Sequence, residues 1–177
     1  EQAKQHRALA QAFARVLDSQ RLTEADRAEL AARTAKLYDE LLLEPQHSLI
    51  DQSLHSTMGA TTTNGDGFGL GWYGVGDTPG VFHSTEPAWN DRNLADLAKH
   101  LVSPLVFAHV RASTGGAIQQ TNCHPFRYQQ WLFMHNGLIR EFATVKRDLA
   151  FAVDASLYPL IEGSTDSELF FYLALTF

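Results

Sequence analysis

Leu105–Gly137 reads LVFAHVRASTGGAIQQTNCHPFRYQQWLFMHNG and holds two strand-like runs, Leu105–Arg111 and Trp131–His135. Each run stops in polar residues and glycine. The first gives way to Arg111, Ser113, Thr114 and the Gly115–Gly116 pair, the second to His135-Asn136-Gly137. A buried strand that runs out into Arg, Asn and Gly holds binding groups on a rigid support. Taken singly, Asn136-Gly137 also fits a tight hairpin turn, and Arg111 a surface charge.

Upstream, Thr61–Gly76 reads TTTNGDGFGLGWYGVG. Gly67, Gly69 and Gly71 alternate with Phe68, Leu70 and Trp72, a period of two that predicts a strand with all its bulk on one face. The bare face admits a neighbouring backbone or a ligand. The segment lacks the Lys-Ser/Thr of a phosphate loop and opens no helix, so nucleotide binding is excluded. Next, Asn90 or Asp91 caps a helix with Leu94, Leu97 and Leu101 on one face, broken by Ser103-Pro104. Downstream, Thr144 is expected to start a helix through Val145, Leu149 and Ala152, with a loop over Asp154–Pro159. In GSTDSELFFYLALTF, Thr165 and Glu168 form a capping box that puts Asp166 in the first helical turn.

Residues 1–43 contain no Gly or Pro and are rich in helix formers. Leu9, Phe13, Val16 and Leu17 share one helical face, and Thr23 with Asp26 caps a second helix through Leu30, Leu37 and Leu41. The expectation is a helical hairpin appendage over residues 1–36, able to dimerise or recruit a partner, followed by the main domain over 37–177.

The chain has 177 residues, 14 basic against 20 acidic, and a formal charge of −6. No basic stripe suits a nucleic-acid partner, and no apolar run is long enough to span a membrane. The one cysteine, Cys123, excludes an internal disulfide framework and suits a reducing, cytoplasmic compartment. Cys123 beside His124 could be drawn as nucleophile and base. Adjacent strand residues point to opposite faces, however, so Cys123 reads as a small buried hydrophobe. His109, His124 and His135 lack metal-ligand spacing and read as core or pocket-lining residues. No metal or cofactor is expected.

A site for an amino acid amide needs an Arg for the α-carboxylate and a carboxylate for the α-ammonium. Hydrolysing the side-chain amide needs a nucleophile and donors aimed at the oxyanion. Arg111 and Asp166 suit the first two, although Asp166 also fits a plain capping role. The Asn136 amide and the Gly137 N–H suit an oxyanion hole.

In order, NGDGFGLGWYG, HVRASTGG, TNCHPF, MHNG and GSTDSE closely resemble the class II glutamine amidotransferase domain, nearest its bacterial YafJ-type members. The resemblance runs from about Leu37 to Phe177. It implies an α+β fold, the αββα sandwich of N-terminal-nucleophile hydrolases. The implied reaction is hydrolysis of glutamine to glutamate and ammonia through a cysteinyl thioester, the glutaminase half of an amide-transferring transferase. The implied roles are Arg111 for the carboxylate, Asp166 for the ammonium, Asn136 and Gly137 for the oxyanion, and Thr114 and Gly115 as pocket lining. The family's nucleophile is a Cys that follows the initiator Met. Here helical residues 1–36 stand in place of that strand, so the expectation is an incomplete sandwich with impaired turnover. The alternatives are a γ-glutamyl amide or peptide hydrolase, and a silent binding or scaffold domain.

Overall fold

Alternating Gly and bulky residues fold as expected at the centre of the chain. The computed structural model describes residues 23–25, 28–29, 32, 48–55, 63–74, 76–113 and 116–177. Their regular elements begin with helix α1 (Leu49–Leu54), strands β1 (Phe68–Tyr73) and β2 (Gly80–Ser84), and helix α2 (Arg92–His100). They continue with β3 (Leu105–Val110), β4 (Phe126–Tyr128), β5 (Trp131–Phe133), α3 (Phe142–Ala152) and α4 (Asp166–Thr176). β1 lies between β2 and β3 in an antiparallel sheet, and β4 and β5 form a separate antiparallel pair.

The register explains the core. Phe68, Leu70 and Trp72 lie opposite Val110, Ala108 and Val106 of β3, so these apolar residues share one face. That face packs on Leu49 and Ile50 of α1 and on Leu94 and Ala98 of α2. Phe68, Leu70 and Leu94 are completely enclosed, each worth about 1.5–3 kcal/mol of burial. Asp91 caps α2 by accepting from the Asn93 and Leu94 N–H groups.

The bare face of β1 receives the second sheet. A Cβ on Gly69 would collide with the His124 carbonyl oxygen, and one on Gly71 would lie 2.6 Å from Pro125 Cγ and 2.9 Å from Leu132 Cδ1. Of the two occupants the glycine pattern allows, a neighbouring backbone is the one observed. The far side of β4–β5 meets the second core, where Phe126, Tyr128 and Phe133 pack with Val153, Leu157, Leu169, Phe171 and Tyr172. The layers therefore run helix, three-stranded sheet, two-stranded sheet, helix. We predict that Gly69→Ala costs on the order of 2 kcal/mol by forcing the sheets apart, a fall of roughly 4–8 °C in Tm by thermal denaturation. An unchanged Tm would show that the sheets do not meet at this contact.

Four sequence expectations are corrected or bounded here. α3 starts at Phe142 rather than Thr144, because Glu141 turns the chain with φ 55° and Thr144 Oγ1 donates to the Glu141 carbonyl instead of capping. The Asp154–Pro159 loop includes the start of a 3-10 turn, Tyr158–Leu160. Cys123 and His124 lie in a bend after a 3-10 turn rather than on a strand. The hairpin of residues 1–36 lies outside the described residues except at 23–25, 28–29 and 32, of which 24–25, 28–29 and 32 are helical.

Candidate active site

The site is assembled where β3 ends. Arg111 follows β3 directly and is only 7% exposed. Its backbone N–H donates to the Gly67 carbonyl and its carbonyl accepts from Asp66 N–H, extending the sheet pairing into the NGDG turn. The guanidinium donates to the Asp66 carbonyl and to Ser113 Oγ, both at 3.3 Å. Asp66 aims its carboxylate elsewhere, accepting from Ser113 N–H at 2.7 Å. Among the described residues no carboxylate ion-pairs with Arg111. A buried cation whose bonds within the described residues are long and go to neutral oxygens suits an anion.

Two residues earlier on the strand, His109 meets Asn136, with Nε2 and Oδ1 2.9 Å apart. Burial, with Arg111 and His135 nearby, lowers the His109 pKa, against a smaller opposing effect of the Asn136 bond. The imidazole is therefore neutral at pH 7. Gly137 adopts φ +140°, a conformation that L side chains rarely reach, and a Cβ there would come 3.0 Å from His135 Nε2. Asn136-Gly137 leads into no hairpin; the chain runs on to α3. Asn136, Gly137 and Leu138 are exposed, so this turn faces solvent.

Asp166 opens α4 and docks on the same turn, its Oδ2 accepting from Ile139 N–H at 2.7 Å. His135 Nδ1 lies 3.0 Å from Ser167 Oγ, a second tie between the turn and α4. Arg111, the Asn136 turn and Asp166 are thus linked through the His109 and Ile139 hydrogen bonds. Thr114 and Gly115 lie outside the described residues.

Sequence reading missed the support beneath these groups. Half of the expected capping box forms, with Thr165 Oγ1 accepting from Glu168 N–H. The Glu168 carboxylate is not returned to Thr165; it accepts from the Glu162 and Gly163 N–H groups. Burial raises its pKa, and those two bonds oppose the rise. Fully buried Asn122 accepts from Ser164 N–H and donates to the Ala117 carbonyl. Together they fix the loop that presents Asp166. The signals available were the acidic NGDG turn, the Asn of TNCHPF and the i, i+2 spacing of His109 and Arg111, which puts both on one strand face.

Cys123 is not arranged as a nucleophile. It is fully enclosed, its thiol points at the Ser84 and Gln119 carbonyls at 3.6 and 3.7 Å, and burial raises its pKa. His124 makes no bond to it. Among the described residues no group of three His, Cys, Asp or Glu side chains could hold a metal ion, and no helix is long and apolar enough to cross a membrane.

The family model described as glutamine amidotransferases class-II matches residues 43–176. The chain belongs to the class-II glutamine amidotransferases. It is 46% identical over 143 residues to a probable glutamine amidotransferase of Saccharomyces cerevisiae, covering 76% of this chain and 40% of that protein. It is 36% identical over 110 residues to the gamma-glutamyl-hercynylcysteine sulfoxide hydrolase of Mycolicibacterium smegmatis, covering 56% and 45%. Among solved structures it resembles a glutamine aminotransferase class-II domain protein of Silicibacter pomeroyi, with TM-score 0.55, 40% identity, and 63% and 47% of the two chains covered. The chain spans less than half the length of each of these relatives.

Proposed function

We propose that this chain is the γ-glutamyl recognition part of an N-terminal-nucleophile amidohydrolase domain. Arg111 takes the α-carboxylate, and the Asp166 carboxylate, held by the Ile139 and Ser167 N–H groups, takes the α-ammonium through its remaining lone pairs. The Asn136 NH2 and the Gly137 N–H take the side-chain carbonyl oxygen, on which negative charge develops during attack. The observation that carries this reading is the Arg111 guanidinium, buried and unmatched by any carboxylate among the described residues.

Turnover needs a thiolate that attacks the amide carbon and expels ammonia or an amine, leaving a thioester for water to open. Cys123 does not supply it, for the reasons of burial and geometry above. A γ-glutamyl compound with a leaving group larger than ammonia is a second reading. It is favoured by the exposure of Asn136, Gly137 and Leu138, which leaves room beyond the scissile bond, and by the gamma-glutamyl substrate named for the mycobacterial relative.

Calorimetry with glutamine and with γ-glutamylglycine, beside a glutamate-release assay on wild type and Cys123→Ala, tests the reading. Binding without release is expected from both proteins. Absence of binding to either compound would overturn it, and release abolished by Cys123→Ala would overturn the assignment of Cys123.

A further inference from the structure

We infer that His109 is the positioning residue of the oxyanion donor: its Nε2–H holds the Asn136 side chain with the NH2 turned toward the reacting carbonyl. The inference rests on the recognition reading above and extends it to a residue without a role there.

An oxyanion hole needs donors, and an Asn side chain offers a donor on only one of its two ends. Something must therefore choose which end faces the substrate. The atom of Asn136 beside His109 Nε2 is its Oδ1, at 2.9 Å. The choice follows from the other ring nitrogen. His109 Nδ1 is buried without a hydrogen-bonding partner among the described residues.

The imidazole has three proton arrangements. With the proton on Nδ1, or on both nitrogens, an N–H is buried without an acceptor. The doubly protonated form also sets a cation among Arg111 and His135 and against the His124 ring, whose centroid lies 4.3 Å away. With the proton on Nε2 alone, the buried nitrogen carries only a lone pair, which proteins tolerate better than an orphaned N–H. Nε2–H must then donate, so it faces Oδ1, and the Asn136 NH2 is left for the pocket. Flipping the amide would set NH2 against N–H and leave a carbonyl aimed at the oxyanion.

Two measurements on the whole chain decide it. Long-range proton–nitrogen correlation NMR at pH 7 is expected to show His109 protonated at Nε2 and bare at Nδ1. Calorimetry then compares glutamine with norvaline, which shares the α-amino acid end but has no side-chain carbonyl. His109→Leu is expected to weaken glutamine about tenfold with norvaline unchanged. His109→Gln, whose amide places an NH2 near the site of Nε2, is expected to restore most of the loss. A purely structural role would weaken both ligands alike. A proton on Nδ1, or a glutamine-to-norvaline ratio that His109→Leu leaves unaltered, would overturn the inference. If wild type bound neither ligand, the recognition reading would fail instead, and the nitrogen shifts alone would decide the inference.

Discussion

An Arg111→Met chain is expected to bind glutamine at least about thirtyfold more weakly than wild type, and to melt at the same temperature or higher. The two halves of this result come from one fact. Arg111 is a buried residue, only 7% exposed, yet its guanidinium meets no carboxylate among the described residues. Its bonds to the Asp66 carbonyl and Ser113 Oγ are 3.3 Å long, at the weak end for N–H···O contacts. Keeping a cation dry with so little compensation costs stability, and an unbranched methionine fills much of the same space without that cost.

Ligand binding reverses the sign. A carboxylate gripped by the guanidinium forms charge-assisted bonds in a site of low dielectric, and removing one partner of such a pair costs about 2–5 kcal/mol. The α-amide of glutamine, which lacks the carboxylate, is the control. It should bind wild type and Arg111→Met equally weakly. If Arg111→Met lowered Tm while glutamine affinity held, the guanidinium would be a structural group and the recognition reading would be lost. Arg111→Lys should sit between the two, because an ammonium is a point charge without the bidentate fork.

The groups that were legible in the sequence are those whose chemistry is local. Gly69 and Gly71 announced a strand with a bare face, and Asp91 announced its cap, since period and capping need only a few neighbouring residues. Arg111, Asn136, Gly137 and Asp166 were legible as element ends carrying polar groups. What could not be read was which long-range partner each would meet. The HVR and HNG runs do not disclose that His109 faces Asn136, because the contact joins residues 27 apart across two sheets. Glu168 satisfied a local capping rule on paper. In the fold, the backbone N–H groups of Glu162 and Gly163 hold its carboxylate, because the turn before α4 presents those donors to the buried Glu168 side chain. Cys123 and His124 were rightly kept apart, though for a different reason: they occupy a bend in which the thiol faces the Ser84 and Gln119 carbonyls.

The same inter-sheet layer predicts how the protein meets acid. His83, Gly69 and His109 lie side by side across β2, β1 and β3, and the His124 backbone closes on the glycine between the two histidines. His124 is buried, packs its ring at a tilt against His109 and Phe126 with centroids 4.3 and 4.6 Å away, and has neither ring nitrogen bonded among the described residues. Burial above all, then the neighbouring His109, His135, Arg111 and His83, pushes its pKa down to about 3, and those of His83 and His109 are lowered too, chiefly by burial. The unfolded chain takes up these protons near pH 6.5, whereas the folded chain resists. Between those limits the unfolded state binds more protons, so folding stability falls as pH falls. Each tenfold loss of proton affinity on folding is worth about 1.4 kcal/mol, which puts the loss of stability through His124 on the order of 5 kcal/mol, absent above pH 6.5 and complete only as pH drops toward 3. His124→Phe keeps a ring of similar size beside Phe126 and has nothing to protonate. Urea midpoints measured from pH 4 to pH 7 should therefore fall much less steeply for this variant than for wild type. At pH 7 the variant should be at least as stable, because two buried nitrogens without partners are replaced by carbon. Parallel pH profiles for the two proteins would show that His124 protonates in the folded state as readily as in the unfolded one, and that the layer between the sheets is open to water.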